Sequence, residues 1–438
     1  MKIKALSRSV EAYQPAGSKN SKMPKNLDPA IHPFERAREY TKALTAVKMQ
    51  RMFAQPFLAQ LGEGHVDGVY SMAKDPNSLE RVASGSGDGV VKTWDLSNSY
   101  DKAEKWHTTA HENIVKSVCW TRDQKLLTCG TDRKIQLYDP YNTPSESAPL
   151  FFLAGKRFLV KSLAPQEPQL VRGRRHTAAP EVLSWPNATD TINAVAFNQV
   201  ETSILGSCGS DRSIVFYDLR TASPIAKTVL TFACNSISFN PMEGMNCAVA
   251  SEDHSVYLFD MRKVDRALNI LKDHVAAVMD VEFSPTGQEL VTASYDRTIR
   301  LWNRDQGHSR DVYHTKRMQR CYSAMWTPDS KYILSGSDDG NIRLWRANAS
   351  AREGIKSARQ RQSEEYNNAL VERYKHMPEV RRIHRHRHIP HVVKKAGEIK
   401  TDELQALKRR EENERRHTKK QFERRRSERD KVILAKEK

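Results

Sequence analysis

Through the middle of the chain, apolar and polar residues alternate in short runs, the two-residue period of half-buried strands. Arg300-Leu301-Trp302, Arg343-Leu344-Trp345 and Ile135-Gln136-Leu137-Tyr138 are such runs, each ending in an aromatic. Ahead of them lie Val278-Met279-Asp280-Val281-Glu282-Phe283-Ser284-Pro285 and its equivalents, closed by polar turns such as Thr286-Gly287. The runs are parts of a repeat in which small residues lead into an Asp and an aromatic follows six positions later. Its six copies pair Asp88 with Trp94, Asp132 with Tyr138, Asp211 with Tyr217, Asp253 with Phe259, Asp296 with Trp302 and Asp339 with Trp345. Successive aromatics lie 44, 79, 42, 43 and 43 residues apart, so the 79-residue interval has room for one more unit between Tyr138 and Tyr217.

A period of about 40–45 residues with four strands per unit is that of WD repeats. The predicted fold is all-β: a seven-bladed WD-repeat β-propeller over residues 53–348, with basic α-helical extensions at 1–52 and 349–438. The third blade, at about 150–185, lacks the Asp-to-aromatic step and contains Arg172-Gly173-Arg174-Arg175. It is a degenerate blade, an inserted basic loop or an error in the gene model. His65, His111 and His274 stand 27 to 29 residues ahead of their aromatics. Similarity to WD-repeat proteins implies that this His, a Ser or Thr, the Asp and the aromatic bond together within each blade. A buried Asp needs donors, which imidazole and indole N–H groups supply. A His–Ser–Asp set repeated once per blade is structural, so no catalytic residue is assigned to it. Ala188 and Leu230 replace the His in two units, and His314 comes three residues too early for its own.

On both flanks the period changes to that of helices. Pro33 suits a first helical turn, and Tyr40, Ala43, Leu44 and Val47 form a stripe at i, i+3, i+4 and i+7, so a helix is predicted at about 33–52. Phe53-Ala54-Gln55-Pro56-Phe57-Leu58 then reads as a strand that completes the last blade beside the strand ending at Trp345. Past Trp345, the stripe of Tyr366, Ala369, Leu370 and Tyr374 predicts a helix packed on the propeller rim. Residues 401–436 read as one long polar helix.

Charge follows the same division. Of the chain's net +18, residues 1–60 carry +7, residues 351–438 carry +12 and the centre −1. A tail so poor in apolar residues cannot fold as its own globule, and it needs a partner or stays mobile. Within it, Val380-Arg381-Arg382-Ile383-His384-Arg385-His386-Arg387-His388-Ile389-Pro390-His391 interleaves cations with apolar anchors. Arginines among the histidines would repel a metal ion, so no metal site is assigned. The set Arg381, Arg382, His384, Arg385, His386, Arg387, His388, Lys394 and Lys395 instead suits phosphate or an acidic partner. Neither a membrane-spanning stretch nor a secretory signal is expected, and six scattered cysteines without a CxxC pair fit a reducing compartment. With no phosphate loop, nucleophile elbow or carboxylate pair outside the repeats, neither an enzyme, a cofactor nor a small-molecule substrate is expected.

Segments outside the generic repeat carry a more specific resemblance. They are Asn26-Leu27-Asp28-Pro29-Ala30-Ile31-His32-Pro33-Phe34-Glu35-Arg36-Ala37-Arg38-Glu39-Tyr40, Tyr313-His314-Thr315-Lys316-Arg317-Met318-Gln319 and Leu344-Trp345-Arg346-Ala347-Asn348-Ala349-Ser350, together with Phe197-Asn198-Gln199-Val200-Glu201-Thr202 and the Arg382-to-Pro390 segment. With these the chain resembles the suppressor-of-fibrillarin family of WD-repeat proteins. The resemblance implies a nucleolar, nuclear scaffold of the small-subunit processome. Its partners would be pre-ribosomal RNA, the U3 small nucleolar ribonucleoprotein and other processome proteins. Tyr217-Asp218-Leu219-Arg220 and Phe259-Asp260-Met261-Arg262 resemble the aromatic-Asp-x-Arg ending by which some WD proteins join cullin-RING ubiquitin ligases. Asp218, Arg220, Asp260 and Arg262 are therefore candidates for contact with a ligase adaptor. The alternative reading is an Arg that merely ends a strand.

Overall fold

The four apolar runs of each repeat pair in sequence order because short polar turns let each strand fold back on the one before it. The computed structural model describes residues 34–97, 102–132, 134–141, 151–154, 191–221, 223–351, 354–422 and 426–437. Among them are six antiparallel sheets, named here by their aromatics: Trp94, Tyr138, Tyr217, Phe259, Trp302 and Trp345. The first strand of the Phe259 sheet, Cys234–Phe239, packs beside those of the Tyr217 and Trp302 sheets. Cys321–Trp326 of the Trp345 sheet packs beside Val69–Lys74 of the Trp94 sheet. First strands side by side, with later strands stepping outward, make a propeller. Six of the seven expected sheets are present among the described residues. Phe151–Ala154 forms the outer strand of the Tyr138 sheet. The rest of the third blade expected at about 150–185, including Arg172 to Arg175, lies outside the described residues, as does Ala188 of the Tyr217 unit.

Closure works by exchange of strands. The Trp345 sheet has only three strands of its own, and Phe57–Gln60 supplies the fourth with Phe57 opposite Trp345 and Gln60 opposite Arg343. The Phe57 ring meets the Trp345 indole edge-on at 5.5 Å. The apolar core lies between sheets. Ala248, Val256 and Leu258 of one mesh with Val281, Leu290 and Trp302 of the next, all at most 4% exposed. Turns after the repeat's Asp are tight: Gly340 has φ +76°, and a Cβ there would sit 2.1 Å from the His65 carbonyl oxygen.

Chain contacts divide the molecule into two units, residues 56–347 with 388–438 and residues 1–55 with 348–387. In the second, α1 (Glu35–Met52) packs with α2 (Ala358–Tyr374) and α3 (Pro378–Arg385). Ala46, Val47, Val371 and Val380 form its core, flanked by Tyr40, Leu44, Tyr374 and Ile383. Of the α2 stripe expected on the propeller rim, Tyr374 flanks this core, where α1 offers a matching stripe. Glu39 ties the helices together, accepting from Arg373 and from the Tyr374 hydroxyl, each at 3.0 Å.

The single helix expected over 401–436 is a second difference. After α4 (His391–Arg416) come a 3-10 turn (Lys419–Phe422), the short α5 (Glu428–Lys431) and a strand, Ile433–Glu437. That strand pairs antiparallel with Ser223–Leu230 and becomes the fifth strand of the Tyr217 sheet. Its cause is local: Val432, Ile433 and Leu434 form an apolar, mostly β-branched triplet that favours a pleated edge over a solvated helix. No helix among the described residues is long and apolar enough to cross a membrane.

Candidate partner-binding surfaces

The repeated His–Ser/Thr–Asp–aromatic sets differ from blade to blade. In the Trp302 sheet the network is complete: Trp302 Nε1–H donates to Thr292 Oγ1 (2.9 Å), His274 Nε2 lies 2.6 Å from the same oxygen, and His274 Nδ1 lies 2.8 Å from Asp296. The ionised Asp296 can only accept, so the neutral imidazole carries its proton on Nδ1, toward it, and Nε2 faces the Thr292 hydroxyl, which also lies 3.4 Å from the Arg300 carbonyl. Burial lowers the His274 pKa against the pull of Asp296. Burial alone would raise the Asp296 carboxyl, but His274, Arg300 and Thr298 outweigh it and hold it well below the usual carboxylate range.

Elsewhere parts are missing or replaced. His111 Nδ1 is 3.0 Å from Asp132 and its Nε2 3.0 Å from Thr128, while Tyr138, in place of Trp, gives its hydroxyl to Gln136. His65 Nε2 and Trp94 Nε1 both reach Ser84 Oγ at 2.7 Å, but His65 Nδ1 has no partner among the described residues and Asp88 accepts from the Val90 N–H instead. Burial pushes His65 down to about 4. In the Trp345 sheet the indole donates to Ser335 at 2.8 Å, and Arg343 takes the imidazole's place, donating to Ser337 (2.7 Å) and Asp339. Asp211 turns to Ser213 at 2.6 Å and Asp253 to Ser255 at 2.9 Å and to Tyr257, with Tyr217 and Phe259 buried beside them. All of these groups hold blades together.

Two pairs of the adaptor candidates adopt one geometry. Asp218 ends Ser213–Asp218 and accepts from the Arg220 backbone N–H at 2.9 Å; Asp260 ends Val256–Asp260 and accepts from the Arg262 N–H at 2.9 Å. Each guanidinium then folds back on its Asp, at 3.3 Å, with 77% and 69% of the Arg220 and Arg262 side chains exposed. The Arg220 N–H, then its side chain, keep the Asp218 carboxyl low. Both turns follow the third strand of neighbouring sheets, so both lie on the same face of the propeller.

The basic candidates divide between the units. Val380 is buried and Ile383 half-buried on the inner side of α3, which leaves Arg381, Arg382 and Arg385 exposed, without an ion pair among the described residues. His384 and His386 are exposed as well. Arg387 is half-buried and donates to the carbonyls of His384 (2.6 Å) and His386 (3.2 Å), where Arg51 joins at 2.7 Å. These two arginines cap the last turn of α3. In the propeller unit, His388 stacks on His314 at 5.3 Å, with His314 Nε2 3.1 Å from His388 Nδ1, and Lys394 and Lys395 are exposed on α4. Among the described residues, no three His, Cys, Asp or Glu side chains converge as a metal site.

Other surface features were not singled out in the sequence. Lys400 donates to the His274 carbonyl at 2.8 Å and so seats α4 against the propeller; burial lowers its pKa. Tyr70 stacks on Tyr322 at 4.4 Å with Tyr295 edge-on at 5.7 Å, and Lys116 and Arg320 lie over the outer rings, each at 5.5 Å. Tyr70, Lys116 and Tyr322 occupy equivalent second positions of first strands, a register that alignment of the repeats could have exposed.

A family model described as Sof1-like domain matches residues 347–433, and the WD domain, G-beta repeat model matches residues 57–95, 104–139, 266–303 and 306–346. The chain is 46% identical to Protein SOF1 of Saccharomyces cerevisiae, over 95% of this chain and 91% of that protein. It is 44% identical to DDB1- and CUL4-associated factor 13 of Mus musculus and 42% to that of Homo sapiens, across 96% of each chain. Among solved structures, the WD40 β-propeller domain of Doa1 aligns with a TM-score of 0.54 at 20% identity, over 66% of this chain and 96% of that one. That last likeness is one of fold.

Proposed function

Because the chain belongs to the Sof1-like family of WD-repeat proteins, we propose that it is a non-enzymatic scaffold of ribosome biogenesis, a nucleolar component of the small-subunit processome. In this reading a seven-bladed propeller over 53–348 presents protein-binding faces, and the basic extensions at 1–52 and 349–438 meet pre-ribosomal RNA and the U3 particle. The observation that carries it is the outer face of α3. Arg381, Arg382 and Arg385 stand exposed without carboxylate partners among the described residues, while Val380 and Ile383 pin the backbone beneath them. Guanidinium forks on a fixed helix bind phosphate oxygens at little further cost in order. Each phosphate contact on single-stranded RNA contributes about −0.7 to the slope of log K against log salt. Changing the three arginines to Glu is expected to flatten that slope by about 2. Incorporation into pre-ribosomal particles should be lost while the melting temperature stays within a few degrees. Normal incorporation of the triple variant would refute the assignment.

A second reading, a substrate receptor of a cullin-RING ligase, is favoured by the shared geometry of the Arg220 and Arg262 turns. The animal relatives are named for association with DDB1 and CUL4. If this chain has that role, Arg220→Ala with Arg262→Ala abolishes capture of purified DDB1 and leaves particle incorporation intact. Undiminished capture by the double variant removes this reading.

A further inference from the structure

Residues 427–437 touch the segments that leave both arginine turns. Ser223–Leu230, the strand that leaves the Arg220 turn, is paired along its outer edge by the C-terminal strand, from Leu230 opposite Ile433 to Lys227 opposite Glu437. Residues 263–267, which leave the Arg262 turn, are held by the same segment. Val264 and Ala267 share a buried cluster with Val432. The Ala267 N–H donates to the Arg429 carbonyl at 3.3 Å, and Lys436 pairs with Asp265. Upstream, Glu428 anchors the segment through Lys272 and, at 3.1 Å, Lys408; their hydrogen bonds hold its carboxyl down at about 2.

Covering a sheet edge would account for the backbone pairing alone. It would not require an ion pair, a backbone hydrogen bond and a buried valine directed at the loop of the neighbouring sheet. On the receptor reading, on which this inference rests, we propose that residues 427–437 are a strap that fixes the spacing of the two arginine turns. The adaptor-docking surface is then composite: the Arg220 turn, the strap and the Arg262 turn. Its partner is a protein face with carboxylates for two guanidiniums at that spacing. Val432, Asp265 and Lys436 are positioning residues, acting through the turns.

The test uses the full chain in two forms that unseat the strap to different degrees, Val432→Asp and Lys436→Glu, together with the charge-swapped Lys436→Glu, Asp265→Lys. Hydrogen exchange and capture of purified DDB1 are read on each. Val432→Asp should speed exchange at least tenfold in residues 223–231 and 263–271, leave 299–303 unchanged, and weaken capture at least tenfold. Lys436→Glu should weaken capture several-fold, and the charge swap should restore it. Faster exchange with undiminished capture overturns the positioning role alone, as does unchanged exchange in 263–271. A wild-type chain that captures no DDB1 overturns the receptor reading and the strap's role with it.

Discussion

The Trp302 and Trp94 sheets carry the same sequence motif but different networks, so equivalent substitutions should have unequal effects. Asp296 has a side chain only 2% exposed. It accepts from His274 at 2.8 Å, from the Thr298 N–H and hydroxyl at 2.9 and 2.6 Å, and has Arg300 at 4.0 Å. Asp296→Ala leaves the buried His274 N–H without its acceptor and removes one of the two carboxylates beside the buried Arg300, which keeps Asp273 at 3.8 Å, a loss of about 3–5 kcal/mol. Asp88 accepts a single backbone N–H, and His65 makes no bond to it. Its replacement by Ala costs about 1 kcal/mol. Native-state hydrogen exchange separates the two, because each 1.4 kcal/mol of lost local stability is tenfold in rate. Amides in residues 299–303 should exchange at least about 100-fold faster in Asp296→Ala, and those in 90–95 about fivefold faster in Asp88→Ala. Equal accelerations would mean that the motif, and not the network it forms, sets blade stability.

Acid should weaken the propeller through its buried histidines. His65 is held at about 4 when folded against an ordinary value of 6.5, so the unfolded chain takes up a proton that the folded one refuses. Its contribution is complete above pH 6.5 and is lost as pH falls toward 4, by about 3 kcal/mol in all. His65→Gln should flatten the fall in melting temperature between pH 7 and 5, and parallel curves would contradict this. Arg387→Ala should loosen the last turn of α3, read as faster exchange at 383–387, and leave the salt slope of RNA binding unchanged; a slope flattened as by the Glu variants would return Arg387 to the phosphate-binding set.

Repeats made the propeller legible, because the six-residue step from Asp to aromatic recurs with the third strand of each of the six described sheets and needs no knowledge of tertiary contacts. Closure by Phe57–Gln60 was legible for a similar reason: a strand-like run precedes the first repeat and the last sheet lacks a strand of its own. The networks were legible only as residue types. Asp88 and Asp296 share the motif, and local sequence separates them by the hydroxyl of Thr298 where the first has Val90; the larger difference is whether an imidazole turns its Nδ1 toward the carboxylate. In the tail, charge counting concealed Val432-Ile433-Leu434, whose strand depends on an open edge 200 residues away. The same counting placed Arg387 with the phosphate ligands, because a capping arginine and a free one look alike until the helix end is located. The Tyr70–Tyr322 stack joins the first and last blades and required the closed ring.

RNA cross-linking mapped by mass spectrometry on purified pre-ribosomal particles tests the scaffold account most directly, since it reads contacts in the assembled state without any substitution. The account predicts RNA-linked peptides from 381–395 on α3 and the start of α4, with few from the near-neutral blades. Cross-links confined to propeller loops, with 381–395 unmodified, would contradict it.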